Sequence, residues 1–260
     1  GAFRQIIYST NPDHPAHWIK QLLIDGKQAS VYYSRPEDNP SNPPDYIEAL
    51  KNLTGVYRER MWEGKWVQAE GAIYPEYNSS IHLLDRRVIT PHDGRYIVTV
   101  DFGYTNPFSC TLWKINPEGV MFQIKQIYRT QRLVEDHAPY IKAMILGCGI
   151  PIPRIEKWIC DHDAEDRATL EKHLGIKTTA AFKDVSSGIQ AVKARLKSNR
   201  LFMNLSAVDD VDIELEKKYL PTSTADEITG YSWSDKKQDT PIKEQDHGLD
   251  EMRYGVAYVD

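Results

Sequence analysis

Apolar positions along the 260-residue chain change rhythm near residue 90. Before that point they come in short, broken runs. Residues 5–8 read as a brief strand that stops at Ser9-Thr10-Asn11-Pro12, a turn by its Asn-Pro content. Residues 35–44 carry too much Pro and Asn for a helix interior. Helical spacing resumes at Asp45, a plausible N-cap, and runs through Ile47, Leu50 and Leu53. Residues 58–62 predict a second short helix, and Trp62, Trp66, Tyr74 and Tyr77 then form an aromatic-rich connector. From Arg95 an ordered series takes over. Strands are predicted at 96–101, 108–114, 120–130 and 155–161, with a turn at Asn116-Pro117-Glu118-Gly119. Helices are predicted at 135–146, closed by Gly147, at 164–174, ending at Gly175, and at 187–198, 209–219 and 246–258. Residues 228–233 suggest one arm of a hairpin.

Three early strands, a helix, a further strand and then helices is the element order of an α/β, RNase H-like mixed sheet flanked by helices. The expected division is 1–90 as the tail of one domain plus a linker, and 91–260 as a compact α/β domain. No internal repeat is visible.

Composition narrows the classes. With 41% hydrophobic and 27% charged residues the chain reads as globular, and no run approaches the ~18 apolar residues of a membrane span. Gly1-Ala2-Phe3-Arg4 lacks the order of a signal peptide. With no initiator Met, Gly1 and Ala2 fit cloning scars on an excised piece. Cys110, Cys148 and Cys160 are odd in number and without C-x-x-C spacing, which argues against a disulfide framework or structural zinc and fits a reducing cytosol. The net charge of −5 is unlike that of a protein coating DNA non-specifically. An enzyme on DNA is still compatible with it, since cations neutralise an acidic centre.

The acidic centre is the informative part. The run Tyr96-Ile97-Val98-Thr99-Val100 ends on Asp101, and Trp158-Ile159-Cys160 ends on Asp161. A strand that closes on a carboxylate puts the charge at the lip of a sheet, where open α/β folds place their chemistry. Gly103 allows a tight backbone after Asp101. In Asp161-His162-Asp163-Ala164-Glu165-Asp166, Glu165 and Asp166 suit a helix start, whereas Asp161 still belongs to the strand. Asp161 is the expected ligand there, with Asp163 and then Glu165 as the alternates. Asp246 is read as a helix N-cap. His247 and Asp250, three apart, share a helix face, Asp250 as a third carboxylate and His247 as a general acid/base or the holder of a metal-bound water. Asp101, Asp161 and Asp250 together suit one or two hard cations, Mg²⁺ or Mn²⁺. Lys193, Lys197 and Arg200, with Lys236, Lys237 and Lys243, are candidate phosphate contacts, against the ordinary reading of a solvated charged face.

These motifs resemble the tailed-phage terminase large subunit, the motor-nuclease that packages DNA into capsids. Ser9-Thr10-Asn11-Pro12 resembles the coupling motif late in that family's ATPase domain. Glu63-Gly64-Lys65-Trp66-Val67 and Glu70-Gly71-Ala72-Ile73-Tyr74-Pro75 resemble its connector. Val100-Asp101-Phe102-Gly103, Cys160-Asp161-His162-Asp163-Ala164-Glu165 and Asp246-His247-Gly248-Leu249-Asp250-Glu251-Met252-Arg253-Tyr254 resemble its three nuclease motifs, in order. No stretch fits G-x-x-x-x-G-K-[ST], so no ATP hydrolysis is expected of this sequence. The resemblance implies a metal-dependent endonuclease on double-stranded DNA, working in the host cytoplasm and transiently at the procapsid portal. Implied partners are the portal protein and the small terminase subunit, with no membrane; the isolated piece is expected as a monomer that oligomerises on the portal. Two other readings stand: a transposase or resolvase on the same fold, and a portal-docking module that does not cut.

Overall fold

The computed structural model describes residues 5–13, 15, 17–53, 58–67, 71–85, 94–234 and 240–260. The chain divides into two compact units, Gly1–Glu70 and Gly71–Asp260. Ile73, Tyr74 and Tyr77 are buried in the core of the second unit.

In the first unit, π-type helices at Ile19–Asp25 and Arg58–Trp62 flank α1 (Pro44–Lys51). Arg60 fastens it internally: buried, it pairs with Asp13 at 2.8 Å and donates to the Val67 carbonyl. The expected Asp45 cap is replaced by Pro43 in extended conformation with Pro44 at the first helical position, where a missing N–H costs nothing. The strand expected at 5–8 does not form. Ile6 and Ile7 are exposed, and an extended run is a strand only when a neighbour pairs with it.

The second unit is built on a seven-stranded mixed sheet: β1 (Leu83–Leu84), β2 (Arg95–Asp101), β3 (Phe108–Ile115), β4 (Met121–Arg129), β5 (Ile155–Cys160), β6 (Thr179–Ala180) and β7 (Leu201–Asn204). The order is β1-β7-β4-β3-β2-β5-β6. Strands β2, β3 and β4 form an antiparallel meander, and the outer strands join it in parallel. Helices α2 (Ser79–His82), α3 (Val134–Gly147), α4 (Ala164–Leu174), α5 (Val185–Lys197), α6 (Ile213–Lys217), α7 (Thr224–Glu227) and α8 (His247–Val259) complete it. The helix expected at 209–219 shortens to α6, which Asp212 caps through the Glu214 and Leu215 amides. Where a hairpin arm was expected, residues 228–233 supply single bridges among the described residues, Ala72 to Ser232 and Trp233 to Pro241.

Both sheet faces are covered, and alternation along β2 divides them. Tyr96, Val98 and Val100 join Val134, Ile141, Ile145 and Leu170 on one side. Ile97 faces the other core, with Ile189 and Val192 of α5 and Leu249, Met252 and Val256 of α8. Period two then puts Thr99 and Asp101 on the α8 side with Ile97. The same parity in β5 puts Asp161 on that side, since Ile159 is in the α8 core and Trp158 and Cys160 are in the other. A buried polar chain ties α8 to the sheet there: Trp113 Nε1 donates to Thr99 Oγ1, which donates to Glu251 Oε2, each at 2.8 Å.

Candidate active site

Parallel pairing sets the first two acids side by side. Val100 pairs with Cys160, and the Asp161 amide donates to the Val100 carbonyl at 3.0 Å. The chain then leaves the sheet tightly: a Cβ on Gly103 would lie 2.5 Å from the Pro107 carbonyl oxygen, so only glycine fits. Asp101 is 7% exposed, and both its oxygens are held by α8. His247 Nδ1 lies 2.9 Å from Oδ2, and the Tyr254 hydroxyl donates to Oδ1 at 3.0 Å.

The first turn of α8 carries Asp250. Its Oδ1 accepts from Arg253 Nη2 at 2.7 Å, and its Oδ2 from Lys243 Nζ at 3.2 Å. Asp246 stands at the N-cap position but makes no side-chain cap; its carboxylate turns to Lys243 instead, at 3.2 Å. The cap comes from another element. Buried Glu227 of α7 accepts the Leu249 amide at 3.0 Å and, through its other oxygen, the Tyr128 hydroxyl of β4 at 2.5 Å. Gln126, donating to Ser109 Oγ and Thr224 Oγ1, wedges the same helix against the sheet. Gly248 is required by this packing, because a Cβ there would lie 2.3 Å from Thr224 Oγ1. Neither Glu227, Gln126 nor Tyr128 was expected from sequence, where an isolated polar residue gives no sign of what it will meet.

The electrostatics follow from burial and crowding. Burial raises the Asp101 carboxyl above its ordinary value, against the lowering effect of His247. Burial would lower the His247 imidazole, yet the Asp101 hydrogen bond and the charges of Asp101, Asp246 and Asp250 raise it overall. Asp246 is raised by burial and then by Asp250, with Lys243 opposing. The Tyr254 hydroxyl is pushed up by burial and then by Asp101, Asp250 and Asp161, so three carboxylate fields meet on one phenol.

The remaining expected residues fall elsewhere or play other parts. Asp163 is exposed and caps α4, its Oδ1 accepting the Glu165 and Asp166 amides at 3.0 Å. Lys193 lies 3.9 Å from Glu76. Arg200 donates to the Glu118 carbonyl at the β3–β4 turn, and Lys197 closes the neighbouring end of α5. That edge holds Arg95 and Ile115 and is ~20 Å from Asp101 at the usual rise per strand residue. Lys243 belongs to the acidic centre itself, while Lys236 and Lys237 lie outside the described residues.

Among the described residues no three His, Cys, Asp or Glu side chains are gathered closely enough to form a ready metal cage. The donors nonetheless fit a hard divalent cation in kind: carboxylate oxygens at a sheet lip, two adjacent and a third from the facing helix. As placed, Asp101 and Asp250 spend their oxygens on His247, Tyr254, Lys243 and Arg253.

Comparison with known proteins agrees with this reading of the fold. Residues 3–81 match the family described as terminase large subunit, T4likevirus-type, N-terminal. The large terminase of a thermophilic bacteriophage is 26% identical, with a TM-score of 0.60 over 95% of this chain and 61% of that one. The chain thus spans about three fifths of that protein. The nuclease domain of the P22 large terminase is 15% identical, with a TM-score of 0.53 over 71% of this chain and 90% of that one. The bacteriophage SPP1 large-terminase nuclease domain, solved with bound Mn, is 15% identical, with a TM-score of 0.47 over 68% of this chain and 92% of that one. No curated protein matches the sequence. The resemblance to large terminases therefore holds at both ends of the chain, and the helix-flanked mixed sheet is RNase H-like.

Proposed function

We propose, taking the chain as kin to phage large terminases, that its second unit is a divalent-metal-dependent endonuclease acting on double-stranded DNA during genome packaging. One observation carries the reading. The carboxylate of Asp101 is buried at the carboxyl end of the sheet beside Asp161, and the helix bearing Asp250 supplies the groups that orient it.

Asp101, Asp161 and Asp250 would hold the cation. Mg²⁺ or Mn²⁺ there supplies charge neutralisation at a scissile phosphate and a more acidic water. The protein does the positioning. Tyr254 and His247 fix the Asp101 carboxylate in one rotamer. His247 commits Nδ1 to Asp101, which leaves Nε2 as the nitrogen that holds or passes a proton. Arg253, buried against Gly188, fixes one oxygen of Asp250. Contacts to the phosphate backbone are the expected mode of binding, since no base-reading motif is apparent in the sequence. The portal protein and the small terminase subunit are the proposed partners, with the host cytoplasm and the procapsid portal as the place of work.

Substrate scope tests this directly. Linear duplex, single-stranded DNA and a four-way junction are incubated with the purified chain and Mn²⁺. Cleavage of plain duplex is the expected result. Activity confined to the junction would replace the reading with a resolvase.

A further inference from the structure

Three positive or potentially positive groups crowd the acids of α8, and they differ in how they are held. Arg253 is 3% exposed, its aliphatic stem lies so close to Gly188 that a Cβ there would be 2.5 Å from its Cγ, and it takes Asp250 Oδ1 at 2.7 Å. It is a fixed partner. His247 is turned to Asp101. Lys243 is different. Its side chain is 55% exposed, it lies outside α8, and its ammonium stands 3.2 Å from Asp246 Oδ2 and 3.2 Å from Asp250 Oδ2. Asp250 thus has one oxygen locked by Arg253 and the other turned toward a cation on a flexible stem.

We infer that Lys243 is a built-in competitor for the divalent cation: its ammonium occupies the position between Asp246 and Asp250, and a metal ion reaches Asp250 Oδ2 only as Lys243 leaves it. This rests on the proposed metal-dependent reading. An ammonium bridging two carboxylates neutralises the same field that a divalent ion would, with half the charge and no fixed coordination geometry. Its exposed stem can swing to solvent without disturbing the core, and release restores the rotamer freedom that a pinned lysine gives up. The arrangement gives the site a state in which its carboxylates are paired.

The test is Mn²⁺ binding to the full chain by isothermal titration calorimetry, comparing the parent with K243Q, K243R and D101N. Lys243 lies outside α8 with its side chain 55% exposed, and K243R, which keeps the charge beside buried Asp246, controls for any loss of stability. Ion pairs of this exposure predict Mn²⁺ binding ~2- to 5-fold tighter in K243Q. K243R, which keeps the charge, should bind near the parent level. A second readout is amine acetylation followed by mass spectrometry: Lys243 should label faster when Mn²⁺ is present, with Lys177, which is 91% exposed, as the internal reference. Parent binding that D101N weakens, with K243Q unchanged or weaker, would overturn the competitor role and leave the nuclease reading standing. Absence of Mn²⁺ binding in the parent and in K243Q alike would overturn both.

Discussion

Replacing Gly248 by Ala tests how the site is assembled. The added methyl would sit 2.3 Å from Thr224 Oγ1, 2.9 Å from Glu227 Oε2 and 3.0 Å from Thr224 Cα. Normal contact to the nearest of these starts about 1 Å further out, and neither neighbour can yield freely. Thr224 is fully buried and accepts from Gln126 at 2.6 Å, and Glu227 is tied to Tyr128 and to the Leu249 amide. The start of α8 must therefore move. Overpacking of this kind costs ~1–3 kcal/mol, and Ala recovers up to ~1 kcal/mol of helix propensity over Gly. The net is a loss of ~1–2 kcal/mol, or roughly 2–8 °C in Tm for a unit of this size. Because His247 and Asp250 lie on either side of Gly248, the same shift should loosen the Asp101 contact and weaken Mn²⁺-induced stabilisation more than the fall in Tm alone explains. Differential scanning fluorimetry with and without Mn²⁺ measures both. A Gly248→Ala protein as stable as the parent, with the same Mn²⁺ shift, would show that α8 is not locked by the Thr224–Glu227 contact.

The cap on α4 separates two neighbouring acids: Asp163→Ala should lose ~1 kcal/mol of stability and keep cleavage, whereas Asp161→Asn should keep the fold and lose cleavage. The reverse pattern in a plasmid assay would exchange their roles. Buried Glu227 gives a pH signature. Burial raises its carboxyl well above the ordinary value, so the folded state holds a proton that the unfolded state has released. Its contribution is complete below the ordinary glutamate value and declines as pH rises toward the raised one, at up to about 1.4 kcal/mol per pH unit for one proton. Glu227→Gln should flatten that decline in urea melts taken across pH, and an unchanged slope would count against it.

How far the sequence could be read depends on what each residue's role rests on. The long strands and helices, β2 through β5 and α3 through α5 and α8, were legible because apolar runs and caps are local signals. So was the placement of Asp101 and Asp161 at strand ends, and alternation would also have put both on the face of Ile97 and Ile159. The short strands β1, β6 and β7 were not foreseen, being two to four residues long and defined by partners distant in sequence. The helix cap of α8 was misread for the same reason. Asp246 looked like the cap by position, but Glu227, twenty-two residues upstream of Leu249, reaches the Leu249 amide instead. Burial of Tyr74 and Tyr77 was not legible either, since an aromatic connector and a core segment have the same composition. Basic residues were the least informative, because a lysine's partner is set wholly by the fold: Lys243 faces acids, and Arg200 serves a turn on the opposite edge of the sheet.

Cleavage of supercoiled plasmid by the purified chain, in EDTA, Mg²⁺ or Mn²⁺ and beside a folded Asp101→Ala variant, tests the central claim most directly. Nicking or linearisation that needs the metal and disappears in Asp101→Ala is the predicted result. Cleavage that persists in EDTA or in the folded variant would contradict it.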